Sequence, residues 1–415
     1  MTSQDFANGS DLLSPSVLQN RNYRHFLISR TCSSLAFQSL TVAMGWMIYE
    51  ITGSAWMLGW VGFFQFLPML ILTFVVGAMA DRYDRRRIGL ICQWVEALTV
   101  LVLGVLVWKQ SLTPQGILVA VTILGAAQAF ERPTMASLLP GIVGPAMLQR
   151  AIATSTSFMQ TALIVGPALG GVLYGFGHIV PFFVSGLLFL AAGYSVGTIR
   201  ILSAAPTART PVTFETIFAG VAFIRRTPAV LGMISLDLFA VLLGGATALL
   251  PIYASDILEA GPFGLGLLRS APAIGALAMS IYLGRYPVVA GAGRKMFAAV
   301  AVFGLATIVF ALSTQVWLSI LALLVVGASD NISVVVRSSL VQLMTPDEMR
   351  GRVNAVNSLF IGTSNQLGEF ESGMMAGFLG PVTACVIGGV GTLAVVAIWM
   401  SAFPVLRRIE RLDGK

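Results

Sequence analysis

Charge is what this chain has least of. Of its 415 residues, 10% are Asp, Glu, Lys or Arg and 56% are hydrophobic, whereas about 25% of an ordinary soluble domain is charged. That imbalance excludes a large water-exposed globule and points to a polytopic membrane protein. Histidine is nearly absent. With only His25 and His178, a histidine-built metal or catalytic site has no basis. The cysteines Cys32, Cys92 and Cys385 lie inside or at the ends of apolar runs. An odd number without regular spacing argues against a disulfide framework or a metal site. There is no Gly-x4-Gly-Lys-Ser/Thr loop to cradle ATP, and no Gly-x-Ser-x-Gly, His-Glu-x-x-His or paired Cys-x-x-Cys. The chain therefore reads as a non-enzyme without a bound cofactor. Its net charge of +7 does not imply nucleic acid, because the basic residues are scattered over short loops instead of forming one stripe. Met1–Asn22 is polar and lacks the apolar core and cleavage site of a signal peptide.

What the chain has is one apolar run after another. Twelve are counted, near 23–49, 54–80, 88–108, 116–138, 151–176, 179–200, 228–253, 262–284, 296–313, 316–338, 353–378 and 380–404. A bilayer takes roughly 20 apolar residues to cross, so the expectation is an all-α protein of twelve transmembrane helices. The organisation read from this is a tail 1–22, a six-helix bundle 23–202, a linker 203–227, a second bundle 228–404 and a tail 405–415. The later part of the linker has the pattern of an amphipathic surface helix. Arg24, Arg82, Arg85, Arg86, Arg87, Arg150, Arg200, Arg285, Arg350 and Arg408 all fall on one side of the spans. The opposite loops hold Lys109 and the acids Glu50, Asp256 and Glu259. The positive-inside rule then puts both termini in the cytoplasm. The halves also repeat: Arg150/Arg352, Ala153/Ala355, Phe158/Phe360, Thr161/Thr363, Gly166/Gly368 and Gly171/Gly373 coincide without gaps.

Polar residues inside spans are costly and are functional candidates by default. In the eleventh span Asn354, Ser358, Asn365 and Glu369 lie on one helical face, with Glu371 on a neighbouring stripe. Glu369, and after it Glu371, reads as a group that exchanges a proton or as a structural carboxylate paired with an arginine. Asp237 in the seventh span is a further proton-coupling candidate, and Glu96 and Asp330 read as helix–helix glue. Arg30, Ser34, Gln38 and Thr41 form one face of the first span and suggest a cavity wall, Arg30 either pairing with an acid or snorkelling to the surface.

Two motifs are more specific. Between the second and third spans stand Gly77, Asp81, Arg82, Arg85, Arg86 and Arg87. The fifth span carries Gly166-Pro167-Ala168-Leu169-Gly170-Gly171, where small residues allow close helix packing and Pro167 removes a backbone donor. The first pattern resembles the loop signature of the major facilitator superfamily, with Asp84 where many members have Gly. The second resembles that superfamily's antiporter motif. The run from Met349 to Gly373, with Tyr49–Ala55 and Phe66–Leu70, is similar to the bacterial subfamily of enterobactin exporters and macrolide-type efflux proteins. The resemblance implies two six-helix bundles rocking about a central site, in a bacterial cytoplasmic (inner) membrane, with the protein acting as a monomer. It implies a cavity to which Trp60, Phe64, Gln65, Gln38 and Phe130 contribute. It also implies that Asp81 meets Arg350 or Arg352 to lock the cytoplasmic side in the outward-open state. The expected activity is proton-coupled export of a siderophore or amphipathic drug-like molecule, with the proton gradient as energy source. An importer or uniporter of a small solute or lipid on the same fold stays open, as does a non-transporting membrane sensor.

Overall fold

Asn20 opens the first long helix. Its side chain accepts from the N–H groups of Asn22 and Tyr23, two of the donors that a helix start leaves without partners. In the computed structural model, which describes residues 17–200, 214–288 and 290–410 (side chains except those of 73–78, 80–82, 146 and 214–217), α1 runs Arg21–Thr52 and ends at Gly53 with φ 58°. That left-handed turn favours glycine. α2 (Ala55–Arg82), α3 (Arg85–Trp108), α4 (Pro114–Gly175) and α5 (Val180–Thr198) complete the first half. α4 contains two of the expected spans, separated at Gly144 (φ 71°, ψ 170°) just before Pro145.

α6 (Phe214–Arg226) lies in the segment between the halves. α7 (Pro228–Leu243) starts at a proline, whose missing N–H would be unpaired there anyway. The seventh span is broken: a 3₁₀ turn at Ala246–Leu249, the short α8 (Leu250–Ile252) and a π turn at Tyr253–Ile257 follow α7. The second half is completed by α9 (Gly261–Arg285), α10 (Ala292–Leu312), α11 (Val316–Met344), α12 (Asp347–Leu379) and α13 (Pro381–Ala402), and α14 (Pro404–Arg408) ends the described chain. α6 packs on α12 so closely that a Cβ on Gly220 would lie 2.8 Å from Val356 Cγ2. Among the described residues, nine helical segments are long and apolar enough to cross a membrane. α1, the first part of α4 and α12 are not among them, and these carry Arg30, Glu131 and the Asn354–Glu369 stripe.

The cores show how the halves meet. One apolar cluster joins both halves, running from Leu40, Ile48, Leu124 and Phe182 to Leu250, Tyr253, Leu265 and Phe310. It lies toward the arginine-poor end of the bundle. Toward the arginine-rich end the cores are separate. Tyr23, Phe26, Met135 and Ile142 pack within the first half, and Val230, Met233, Phe297 and Leu340 within the second. The two bundles are thus fused at the arginine-poor end and distinct at the arginine-rich end.

Candidate transport site

The seam between the halves is built from backbone. α2 meets α12 where a Cβ on Gly59 would stand 3.0 Å from the Phe370 carbonyl, and where Gly373 abuts Gly59 itself. α4 meets α9 in the same way: a Cβ on Gly266 would lie 2.7 Å from the Pro167 carbonyl, and Gly171 faces the Pro262 carbonyl. Ser270 donates to the Ile164 carbonyl at 2.7 Å. A third crossing joins α1 to the broken seventh span, where Gly45 faces Pro251 and the Tyr49 hydroxyl donates to Asp256. The fifth-span motif therefore sits at a junction of three helices. Gly166 and Gly170 accommodate Gln38 and Ser39 of α1, while Pro167 and Gly171 face α9.

Below this seam α12 is open. Asn354, Ser358 and Asn365 are exposed along one face. Glu369, at the upper end of the stripe, reaches the seam opposite Gly62, where an added Cβ would come within 3.4 Å of its Oε2. Arg269 of α9 lies near enough to Glu369 to act on it electrostatically. Glu371 is half-buried, with the Ser372 hydroxyl 3.5 Å away. The aromatic wall of α2 is continuous with α12: Trp60 stacks within 5.3 Å of Phe370 and 5.8 Å of Phe64, and Phe63 within 5.2 Å of Phe370. Gln65 is half-buried, and its backbone carbonyl abuts Gly125 of α4. Phe130 packs on Ile88, Cys92 and Ala127 between α3 and α4.

On α1, Ser34, Gln38 and Thr41 are half-buried, and Thr41 is bonded to its own helix at the Phe37 carbonyl. Arg30 has a buried Nε without a hydrogen-bond partner and lies near Glu131 and Arg132 of α4. Glu131 is itself held: Ser33 Oγ donates to it at 2.9 Å and Gln93 Nε2 at 2.7 Å. Glu96 of α3 is completely buried beside it. Sequence reasoning missed this cluster. Its signal in the sequence was one acid within the third span, Glu96, and another near the cytoplasmic end of the fourth, Glu131.

Asp237 is not an open site. It forms an ion pair with Arg337 of α11, both side chains being almost fully buried, in a crevice that also includes Asp330 and Ser333. Of the loop motif, the side chains of Gly77, Asp81 and Arg82 lie outside the described residues. Asp84, the departure from the usual pattern, has a local use: it caps α3 by accepting from the Arg86 N–H at 2.9 Å. Arg86 donates to the Ile199 carbonyl just past α5 at 2.9 Å and Arg85 to the Ser137 carbonyl of α4 at 3.5 Å, whereas Arg87 is exposed near Asp84. These arginines fasten the loop to its own half. Arg86→Ala is therefore expected to lower stability by about 1 kcal/mol, and Arg87→Ala to leave it unchanged, as read by thermal melting in detergent. The expected gate partners are engaged on their own helix. Arg350 pairs with Asp347 at 2.7 Å, and Arg352 donates to the Met349 sulfur at 3.7 Å.

A family model described as transmembrane secretion effector matches residues 13–413. The chain belongs to this family of the major facilitator superfamily. It is accordingly a multi-pass transporter of a small molecule in the bacterial inner membrane, not an enzyme. Among curated relatives, the enterobactin exporter EntS of Citrobacter koseri is 26% identical over 419 residues, covering 96% of each chain. EntS of Escherichia coli O157:H7 is 24% identical over 409 residues with the same coverage. The fold matches a bacterial homologue of the lysosomal transporter Spinster in an inward-facing, occupied conformation (TM-score 0.74, 13% identity, 92% of this chain and 96% of that one). It also matches a bacterial homologue of the iron transporter ferroportin in an inward-facing state (TM-score 0.71, 17% identity, 95% and 100%), and the nucleoside transporter NupG (TM-score 0.73, 15% identity, 92% and 99%).

Proposed function

We propose that this transporter exports a siderophore or an amphipathic drug-like molecule by alternating access, coupled to proton entry, as a monomer and without a bound cofactor. The observation that carries the reading is the asymmetry of the cores. They are fused at the outer end and separate at the arginine-rich end, so the exposed stripe of α12 faces the side from which an exporter loads. A wall combining Trp60, Phe63, Phe64 and Phe370 with Asn354, Ser358 and Asn365 suits a ligand that is partly aromatic and partly polar. The full-length likeness to enterobactin exporters supports the direction. Glu369, facing Arg269, is the acid in this wall that can exchange its partner for a proton, with Glu371 beside it. In the outward-open state Asp81 would meet Arg350 or Arg352 once these leave Asp347 and Met349.

The test is a pH-gradient assay in everted, respiring membrane vesicles with a panel of catecholate siderophores, macrolides and hydrophobic cations. One compound class is expected to collapse the gradient with wild type and to fail with Glu369→Gln. Folded wild-type protein that moves those compounds without touching the gradient would sink the proton coupling. Asp81→Asn should reduce transport far more than protein yield, and normal transport by that variant would count against the gate.

A further inference from the structure

A carboxylate at the centre of a membrane protein is normally matched by a cation or by donors, because an isolated buried charge costs several kcal/mol. Glu96 has no direct match of either kind. It is 0% exposed, and neither of its oxygens meets a donor with hydrogen-bonding geometry. Its polar neighbours are Gln128, the Glu131 carboxyl and, further off, the Arg132 guanidinium. Glu131, 3% exposed, is different: one oxygen accepts from both Ser33 and Gln93. Two carboxyl groups are thus pressed together in the first half, one solvated by protein donors and one not. Like charges so close cannot both ionise without compensation. From the geometry of this cluster we infer that Glu96 and Glu131 form a proton-binding site, two carboxyl groups sharing one proton inside the first bundle.

The surroundings favour a proton over a metal ion. α1 brings Arg30 to the pair, and α4 adds Arg132, which is exposed, bonded to Gln128 Oε1 at 2.9 Å, and 5.9 Å from the centre of the Phe37 ring of α1. Cys92 and Gln93 face it from α3 itself. α5 packs Gly193 against Gln93 and has no ionisable side chain except the exposed Tyr194. Two guanidinium groups repel a metal cation, but they balance two carboxylates. With one proton bound the cluster of two acids and two arginines carries one positive charge. When the O–H bond breaks and the proton leaves to water on the Arg30–Arg132 side, the cluster becomes neutral. Release therefore leaves no uncompensated buried charge, as a reversible proton site in a membrane requires.

For its role in transport this inference rests on the proton-coupled reading; for proton binding it does not. The experiment is infrared difference spectroscopy of the purified full chain in lipid, between acid and alkaline pH, following the C=O stretch of protonated carboxyl groups. Wild type is expected to show a carboxyl band that titrates with pH and is lost in Glu96→Gln. The band should survive in Glu371→Gln. The amide is isosteric with the protonated acid, so Glu96→Gln is expected to melt within a few degrees of wild type. Glu131→Gln, which leaves Glu96 near Arg132 and without a second acid, should also lose the band and covers the case of a misfolded first variant. A titrating band unchanged in both variants, or no band assignable to either residue, overturns the site. In vesicles, Glu96→Gln should lower gradient-driven transport at least about tenfold, a change of about 1.4 kcal/mol. If wild type shows no gradient dependence while the band behaves as stated, the coupling fails and the proton site stands.

Discussion

Arg337→Leu is expected to destabilise the second half severely. The Arg337 guanidinium and the Asp237 carboxylate face each other with side chains only 3% and 10% exposed. Removing one member of a buried pair leaves an unpaired charge and costs roughly 3–5 kcal/mol, when the whole stability of a protein is about 5–15 kcal/mol. Replacing both is a milder change, because apolar side chains of similar size can fill the same volume. The measurement is yield and monodispersity after extraction, with melting temperature, for Arg337→Leu, Asp237→Leu and the double variant. Severe loss in each single variant and recovery in the double identifies a structural pair. Wild-type stability in Asp237→Leu would favour a role for Asp237 in transport over a purely structural one.

Gly373→Val is expected to part the two halves at the outer end. Gly373 abuts the backbone of Gly59, and Gly171 stands against the Pro262 carbonyl at the companion crossing. Neither neighbour is a side chain that can swing aside. Overpacking of this kind costs about 1–3 kcal/mol, and each 1.4 kcal/mol is about tenfold in the balance between two states. The penalty falls on the state with the seam closed, so outward-open molecules should accumulate. Cysteines placed at Ser358 and Ser270 would report it. Labelling from the cytoplasm at 358 should fall and labelling from outside at 270 should rise, with Gly171→Val acting in the same sense. Unchanged labelling in folded protein would mean that the crossing is not the closing surface. Transport should drop with the shift, because an exporter must revisit the state that loads.

The architecture was largely legible because it rests on chain-local signals. Span length, the sidedness of arginine and the i, i+4, i+7 spacing on α1 and α12 need no tertiary information, and the polar faces they predicted on α12 are exposed in the fold. Gly166–Gly171 could be recognised as a crossing, but its partners could not. That α1 fits against Gly166 and Gly170 while α9 fits against Gly171 depends on helix rotation, which spacing within one helix does not supply. The same limit hid the acids. Glu96 reads as helix glue until α3 and α4 are turned toward each other, and Glu131 looks like a residue near a helix end until Ser33 and Gln93 are found on it. Arg269 and Glu369 lie 100 positions apart in the chain, and only packing brings them together. The break of the seventh span also depends on neighbours: Gly245 sits against the Gly368 carbonyl, where a Cβ would lie at 2.7 Å.

A seam made of glycine and carbonyl groups has a mechanical consequence. Where side chains interlock, separation requires many rotamers to rearrange, and the surfaces hold or release in steps. Here much of the contact is backbone on backbone, so the faces can part with few rotamers to rearrange, chiefly those of Trp60, Phe63 and Phe370, while the Tyr49–Asp256 and Ser270–Ile164 hydrogen bonds clasp the crossing. Such a hinge line has little friction and shallow grip. Converting a population from 1:99 to 99:1 takes a differential of about 5.5 kcal/mol, within reach of one well-bound cargo, so under the proposed alternating access such a closure would seal the empty carrier and still yield to its passenger.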